Sequence, residues 1–122
     1  MKNALPLLAA LAALGLGAGA AHAASQPQAC FRTSDVTGWR ATGTKSVIIQ
    51  TNNRELYRLR FDYDCDALKF AGERIGFNKT GPGPACSGID VDVLVRGMTC
   101  PVKAIHKLSK AEVASLPNNA KP

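Results

Sequence analysis

Four cysteines, Cys30, Cys65, Cys86 and Cys100, limit what a chain of this size can fold into. No two are spaced as C-x-x-C, so neither a redox motif nor a paired zinc knuckle is encoded. An even number of cysteines in a small exported domain reads as a disulfide framework. Such a framework allows three pairings. The expectation is Cys65–Cys86 with Cys30–Cys100. The first bond would clip a strand end to a later loop. The second would tie the first ordered segment to the last strand, as a closing sheet requires of its two ends.

The start of the chain supplies the export signal. Met1-Lys2-Asn3 is a short positive start, followed by an uncharged Ala/Leu run that ends at Ala21-His22-Ala23. Small residues at −3 and −1 fit signal peptidase, so residues 1–23 read as a cleavable signal peptide and Ala24 as the mature start. The run is weakly apolar in its last third and no basic stop-transfer cluster follows, which argues against a membrane anchor remaining after cleavage. Pro27 stands three residues before Cys30, where a lipoprotein signal needs an aliphatic residue, so Cys30 reads as a thiol available for pairing. The localisation expected is periplasmic or secreted.

Cleavage after residue 23 leaves 99 of the 122 residues, enough for one domain, 30–117, between loose tails at 24–29 and 118–122. The formal net charge is +6. Lys2 leaves with the signal, so the mature domain carries about +5. The cations are spread rather than clustered, and the basic patch of a nucleic-acid binder is missing. A spread positive charge is compatible with an envelope protein or an anionic envelope component as partner.

Alternation predicts the sheet. Residues 46–51, Ser-Val-Ile-Ile-Gln-Thr, are β-branched, and Asn52-Asn53 after them suits a tight turn. Tyr57, Leu59 and Phe61 fall on one face of the next strand, with Arg58 and Arg60 on the other. Ile89, Val91, Val93 and Val95 form the inward set of the best strand, whose outward set begins with Asp90 and Asp92. Those aspartates would meet Arg58 and Arg60 if the two strands paired. Shorter strands are expected near residues 74–77 and 100–105, with a loop at Gly81-Pro82-Gly83-Pro84. Trp39, the single tryptophan, reads as a plug in the core or at its edge. Ser109 and Glu112 form a capping box, which opens a short helix stopped by Pro117. The fold class expected is mostly β: a small antiparallel barrel-like or rolled sheet of five to six strands with a short C-terminal helix, stapled by disulfides.

Motifs for chemistry are sparse. Asp62, Asp64 and Asp66 alternate and Glu73 stands twelfth, the ligand spacing of a calcium loop. The sixth position is Ala67 instead of the glycine needed for the sharp turn, the eighth is Lys69, and a strand rather than a helix precedes it. The segment therefore reads as a polar turn, and no metal or cofactor is expected. One histidine, His106, remains in the mature chain, with no G-x-S-x-G elbow and no phosphate-cradling loop. Catalytic residues are accordingly expected to be none.

Cys30-Phe31-Arg32, Trp39, Tyr57, Cys65 with Leu68, Cys86, Ile89-Asp90-Val91, and Cys100 before Ile105 and Leu108 carry a resemblance. The chain resembles a family of small exported proteobacterial proteins, a domain of unknown function with this four-cysteine layout. The resemblance supports the fold and the compartment and implies no activity or functional residue. The function expected is a non-enzymatic periplasmic binding or envelope-associated protein. The alternatives are a secreted inhibitor of a hydrolase and, after it, a small periplasmic enzyme.

Overall fold

A computed structural model of the chain describes residues 29–70, 74–86 and 90–122. The signal-peptide reading, and Glu73 and Ile89 with it, lie outside the described residues. Six antiparallel strands form one sheet: β1 (Val36–Ala41), β2 (Ser46–Thr51), β3 (Leu56–Phe61), β4 (Gly76–Lys79), β5 (Val91–Val95) and β6 (Met98–Lys107). Their order across the sheet is β1-β2-β3-β6-β5-β4, and the sheet curls into a half-barrel.

The hairpins follow from local chemistry. β2 and β3 are joined through Asn52 and Asn53, with Arg54 at φ 65° and Thr51 donating its N–H to the Glu55 carbonyl at 3.0 Å. β5 turns into β6 through Arg96 and Gly97, both at positive φ (50° and 80°), between the paired residues Val95 and Met98. Two central residues at positive φ match the right-handed twist of the flanking strands.

β6 joins the two halves of the sheet. Its first part pairs with β5, from Val95↔Met98 to Asp92↔Pro101. Its second part pairs with β3, from Phe61↔Val102 to Tyr57↔Lys107, with a register shift between Arg60 and Phe61. Pro101 stands beside that irregularity, where a strand tolerates a residue that cannot donate. β6 thus lies between β3 and β5, so Asp90 and Asp92 do not face Arg58 and Arg60. Those arginines stand opposite His106 and Ala104 instead.

The alternation read from sequence holds. Val47, Ile49, Tyr57, Leu59, Phe61, Val91, Val93, Val95, Val102 and Ile105 are buried in the concave core with Phe31 and Leu68. Ile48 and Leu56 face the other way and form a second small core with Leu108 and Ala120, backed by Val113 and Leu116. That second core is made by the C-terminal helix α1 (Lys110–Ala114) and the turn after it. The capping box is present: Ser109 Oγ accepts from the Glu112 N–H at 3.2 Å, and the Glu112 carboxylate accepts from the Ser109 N–H at 3.1 Å.

Three expectations are corrected. The tail at 118–122 is not loose. Residues Asn118–Ala120 form a 3-10 turn, Ala120 is buried, and Arg40 Nε on β1 donates to the Lys121 carbonyl at 3.2 Å. At the start of the described chain, Ala29 packs against the core; residues 24–28 of the expected loose tail lie outside the described residues. The disulfides are Cys30–Cys86 and Cys65–Cys100, not Cys65–Cys86 and Cys30–Cys100. The reason is topological. β3 ends where β6 begins, with the Asp62 N–H donating to the Pro101 carbonyl at 3.2 Å, so Cys65 reaches Cys100. Cys86 lies at the opposite end of the strands, where Phe31 and Ala85 bridge antiparallel through hydrogen bonds of 2.9 and 2.8 Å.

Candidate functional site

Because the sheet is only a half-barrel, its terminal strands β1 and β4 each keep one edge without a neighbouring strand among the described residues. The curl brings those edges to the two sides of one groove of about 270 Å³. Val36, Thr37 and Trp39 line it from β1, and Arg74, Ile75 and Phe77 from the β4 side. Trp39, Ile75 and Phe77 are half-buried and pack against the core. Phe31 sits beneath, edge-on to Phe77 with ring centroids 5.9 Å apart and tilted on Tyr57 at 5.8 Å. Phe31 is fixed there by the Ala85 bridge and the neighbouring Cys30–Cys86 bond. Among the described residues Arg74 is the one charged side chain lining the groove. An apolar, aromatic trough with a cation at its rim can hold an apolar group that carries a negative charge.

A second, more polar hollow of about 240 Å³ lies at the end of the strands where Phe31 enters; Arg32, Asp35, Asn53, Glu55 and Tyr57 line it. Lys107 Nζ donates to Glu55 Oε1 at 2.8 Å and Tyr57 Oη donates to Glu55 Oε2 at 2.7 Å. Thr51 Oγ1 donates to Asn53 Oδ1. The Lys107 ammonium, then the Tyr57 hydroxyl, hold the Glu55 carboxyl below its ordinary value. Burial, reinforced by the Glu55 carboxylate, pushes the Tyr57 phenol up to about 12. Tyr57 is therefore a protonated donor already committed to Glu55, and not a base at neutral pH.

His106 meets a carboxylate outside both hollows. Its Nε2 lies 2.9 Å from Glu112 Oε2 and 3.1 Å from Oε1. That contact, then the Ser109 backbone N–H, holds the Glu112 carboxyl down to about 2. The pair fastens α1 to β6, since Glu112 belongs to the helix and His106 to the strand.

Three of the four carboxylates of the calcium-like spacing are described, and each points to a surface role. Asp62, Asp64 and Asp66 are exposed. Asp64 Oδ1 accepts from Thr44 Oγ1 at 3.0 Å, and Asp66 pairs with Lys69 at 3.7 Å. Among the described residues no group of three or more His, Cys, Asp or Glu side chains could hold a metal. Nor is any helix among them long and apolar enough to cross a membrane.

Sequence reasoning placed Trp39 in the core or at its edge and missed the side chains across the groove. Trp39 and Phe77 are separated by the β2–β3 hairpin and a long connection. No spacing rule links them, and only the sheet order brings them together.

A half-barrel of six antiparallel strands, stapled by two disulfides and open along one seam, is thus the kind of protein this is. A family model described as a family of unknown function, DUF6491, matches residues 1–121, and the chain belongs to that family. No curated protein and no solved structure matches it. The membership expected from the four-cysteine layout therefore holds, and all four cysteines are used in the two disulfides. Two disulfides are consistent with an extracellular or periplasmic protein.

Proposed function

We propose that this protein is a non-enzymatic binding domain of the periplasm or cell exterior, and that the seam groove around Trp39 is where it holds an envelope partner. The observation that carries the reading is the groove itself. Two strand edges without neighbours face each other across half-buried aromatic side chains. Elsewhere the side chains with chemical potential have structural work: Glu55, Tyr57 and Lys107 bind one another, and His106 with Glu112 fastens the helix. Half-buried aromatic surface beside a cation favours binding an apolar group that carries negative charge.

Two measurements test it. The first uses the aromatic anion 8-anilinonaphthalene-1-sulfonate on the oxidised protein. Trp39 is the only tryptophan, so energy transfer from it reports occupancy of the groove. Saturable transfer that Phe77→Ala weakens at least five-fold is expected, and no saturable transfer would remove the groove from consideration. The second places a photo-crosslinking residue at Thr37, exposed on the groove wall, or at Lys103, exposed on β6. In cells that export the protein, Thr37 should give a discrete adduct with an envelope component and Lys103 should not. Identical adducts from both positions would count against the seam as the contact surface.

A further inference from the structure

Resting on that reading, we infer that the partner enters as an extended peptide segment, added as a seventh strand along the free edge of β4. The register of β4 makes that edge competent. Thr80 donates its N–H to the Asp90 carbonyl at 2.8 Å, so Thr80 and Asp90 form a hydrogen-bonded pair. Antiparallel ladders alternate bonded and non-bonded pairs. The pairs Asn78↔Asp92 and Gly76↔Leu94 are then bonded towards β5. Phe77 and Lys79, between them, direct their backbone N–H and C=O groups away from β5 to the free edge. A strand laid there would complete main-chain bonds that β5 cannot make.

The side-chain requirements follow. The Phe77 side chain is on the concave side, against Phe31. The peptide residue opposite Phe77 would point the same way, into the groove that Trp39 bounds on its far side, and it must be apolar. The residues on either side of it point out of the groove, because strand side chains alternate. Charge completes the specification. Among the described residues no carboxylate lines the groove, and Arg74 is the one charged side chain there, exposed and roughly 10 Å along the chain from Phe77. Lys79 is not available, because its ammonium already donates to the carbonyls of Thr80, Gly81 and Pro82 at 3.1, 2.8 and 3.2 Å. β1 is a poorer acceptor for the peptide: its ladder is interrupted between Val36 and Gly38. The segment recognised is therefore extended, apolar at one inward position and acidic near the Arg74 end. Main-chain bonds would supply affinity and the groove specificity, the usual division in strand addition.

The test uses three blocked heptapeptides of valine and threonine with a central phenylalanine. One carries a glutamate two residues from the centre, one a lysine in its place, and one the glutamate with alternate backbone nitrogens methylated. Amide exchange and Trp39 emission of the oxidised protein are followed by titration. With the glutamate peptide at saturation, the Phe77 and Lys79 amides should exchange at least ten-fold more slowly. The lysine peptide should bind at least five-fold more weakly, Arg74→Glu should reverse that preference, and the methylated peptide should not bind. Binding of the methylated peptide, or altered Trp39 emission without protection of Phe77 and Lys79, would overturn strand addition. If the naphthalene sulfonate fills the groove and none of the peptides binds, only this inference fails. If neither binds, the groove reading fails with it.

Discussion

The middle of the sheet and its seam are made from the same kinds of residue and end in opposite states. On β3, Leu56, Tyr57, Leu59 and Phe61 are all buried, because the strand has a neighbour on each side and a core on both faces. On β1 and β4 no residue is fully buried, although Trp39 and Phe77 are larger than most of the side chains in the core. A strand with neighbours on both sides has its backbone groups satisfied and its side chains enclosed. A terminal strand leaves one row of backbone groups unpaired, and its aromatic side chains here are only half-buried. Stability is therefore concentrated in β2, β3, β5 and β6, and the capacity to bind lies where stability is lowest.

The disulfides give the largest test of that division. Cys65–Cys100 joins the end of β3 to β6, within the stable middle, over a separation of 35 residues. Cys30–Cys86 spans 56 residues and anchors Phe31 beneath the seam. Chain entropy makes each worth roughly 4 kcal/mol, so both together approach the whole stability of a domain this size, about 5–15 kcal/mol. Reduction of both is expected to unfold the protein, as read by circular dichroism. The paired serine variants should separate the regions. Cys65→Ser with Cys100→Ser should lower the urea midpoint. Cys30→Ser with Cys86→Ser should lower it similarly and also abolish naphthalene sulfonate binding under conditions where the variant is still folded. Equal dye binding by both folded variants would erase the distinction between middle and seam.

Single side chains should show the same contrast at smaller size. Leu59 is fully enclosed, and Leu59→Ala should cost about 2–5 kcal/mol in urea unfolding. Phe77 is half-buried, and Phe77→Ala should cost about 1–2 kcal/mol, well below the range for an enclosed phenylalanine. If the two variants lose equal stability, the seam is part of the core and the groove is a packing imperfection.

Much of the middle was legible because its information is local. The alternation of Tyr57, Leu59 and Phe61, the β-branched run at Val47–Ile49, and the set Val91, Val93 and Val95 each declare a face within a few residues. The capping box at Ser109 and Glu112 is local too, and it is present as expected. What failed was non-local. Choosing disulfides needs the strand order, and the place of β6 between β3 and β5 is written in no short segment. The C-terminal tail looked loose because it is polar and terminal, yet Ala120 fills a gap beside Ile48 and Leu56. The groove is the extreme case, since Trp39 and Phe77 meet only after the whole sheet has curled.

The smallest effects belong to the clasp on the convex face, and their pH dependence has a definite sign. Ser109→Ala removes the cap that accepts from Glu112 N–H, and should cost about 1 kcal/mol. Glu112→Gln should cost less, because the amide can still reach Ser109 N–H but loses its charge towards His106. The His106 contact is the chief reason the Glu112 carboxyl sits at about 2 instead of its ordinary 4.5. A carboxyl depressed on folding stabilises the native state above its unfolded value, and that contribution fades as pH falls towards the folded value. On the acid side, the stability gap between the parent and Glu112→Gln should shrink from about pH 4.5 downward and vanish near 2. Urea titrations at several pH values measure it. The clasp belongs to the core of Ile48 and Leu56, whereas Trp39 and Phe77 pack against the other core, so dye binding at the seam should be the same for both proteins across that range. A seam that weakens in step with the clasp would mean that the two faces of the sheet are coupled, and that α1 helps set the curvature that brings β1 and β4 together.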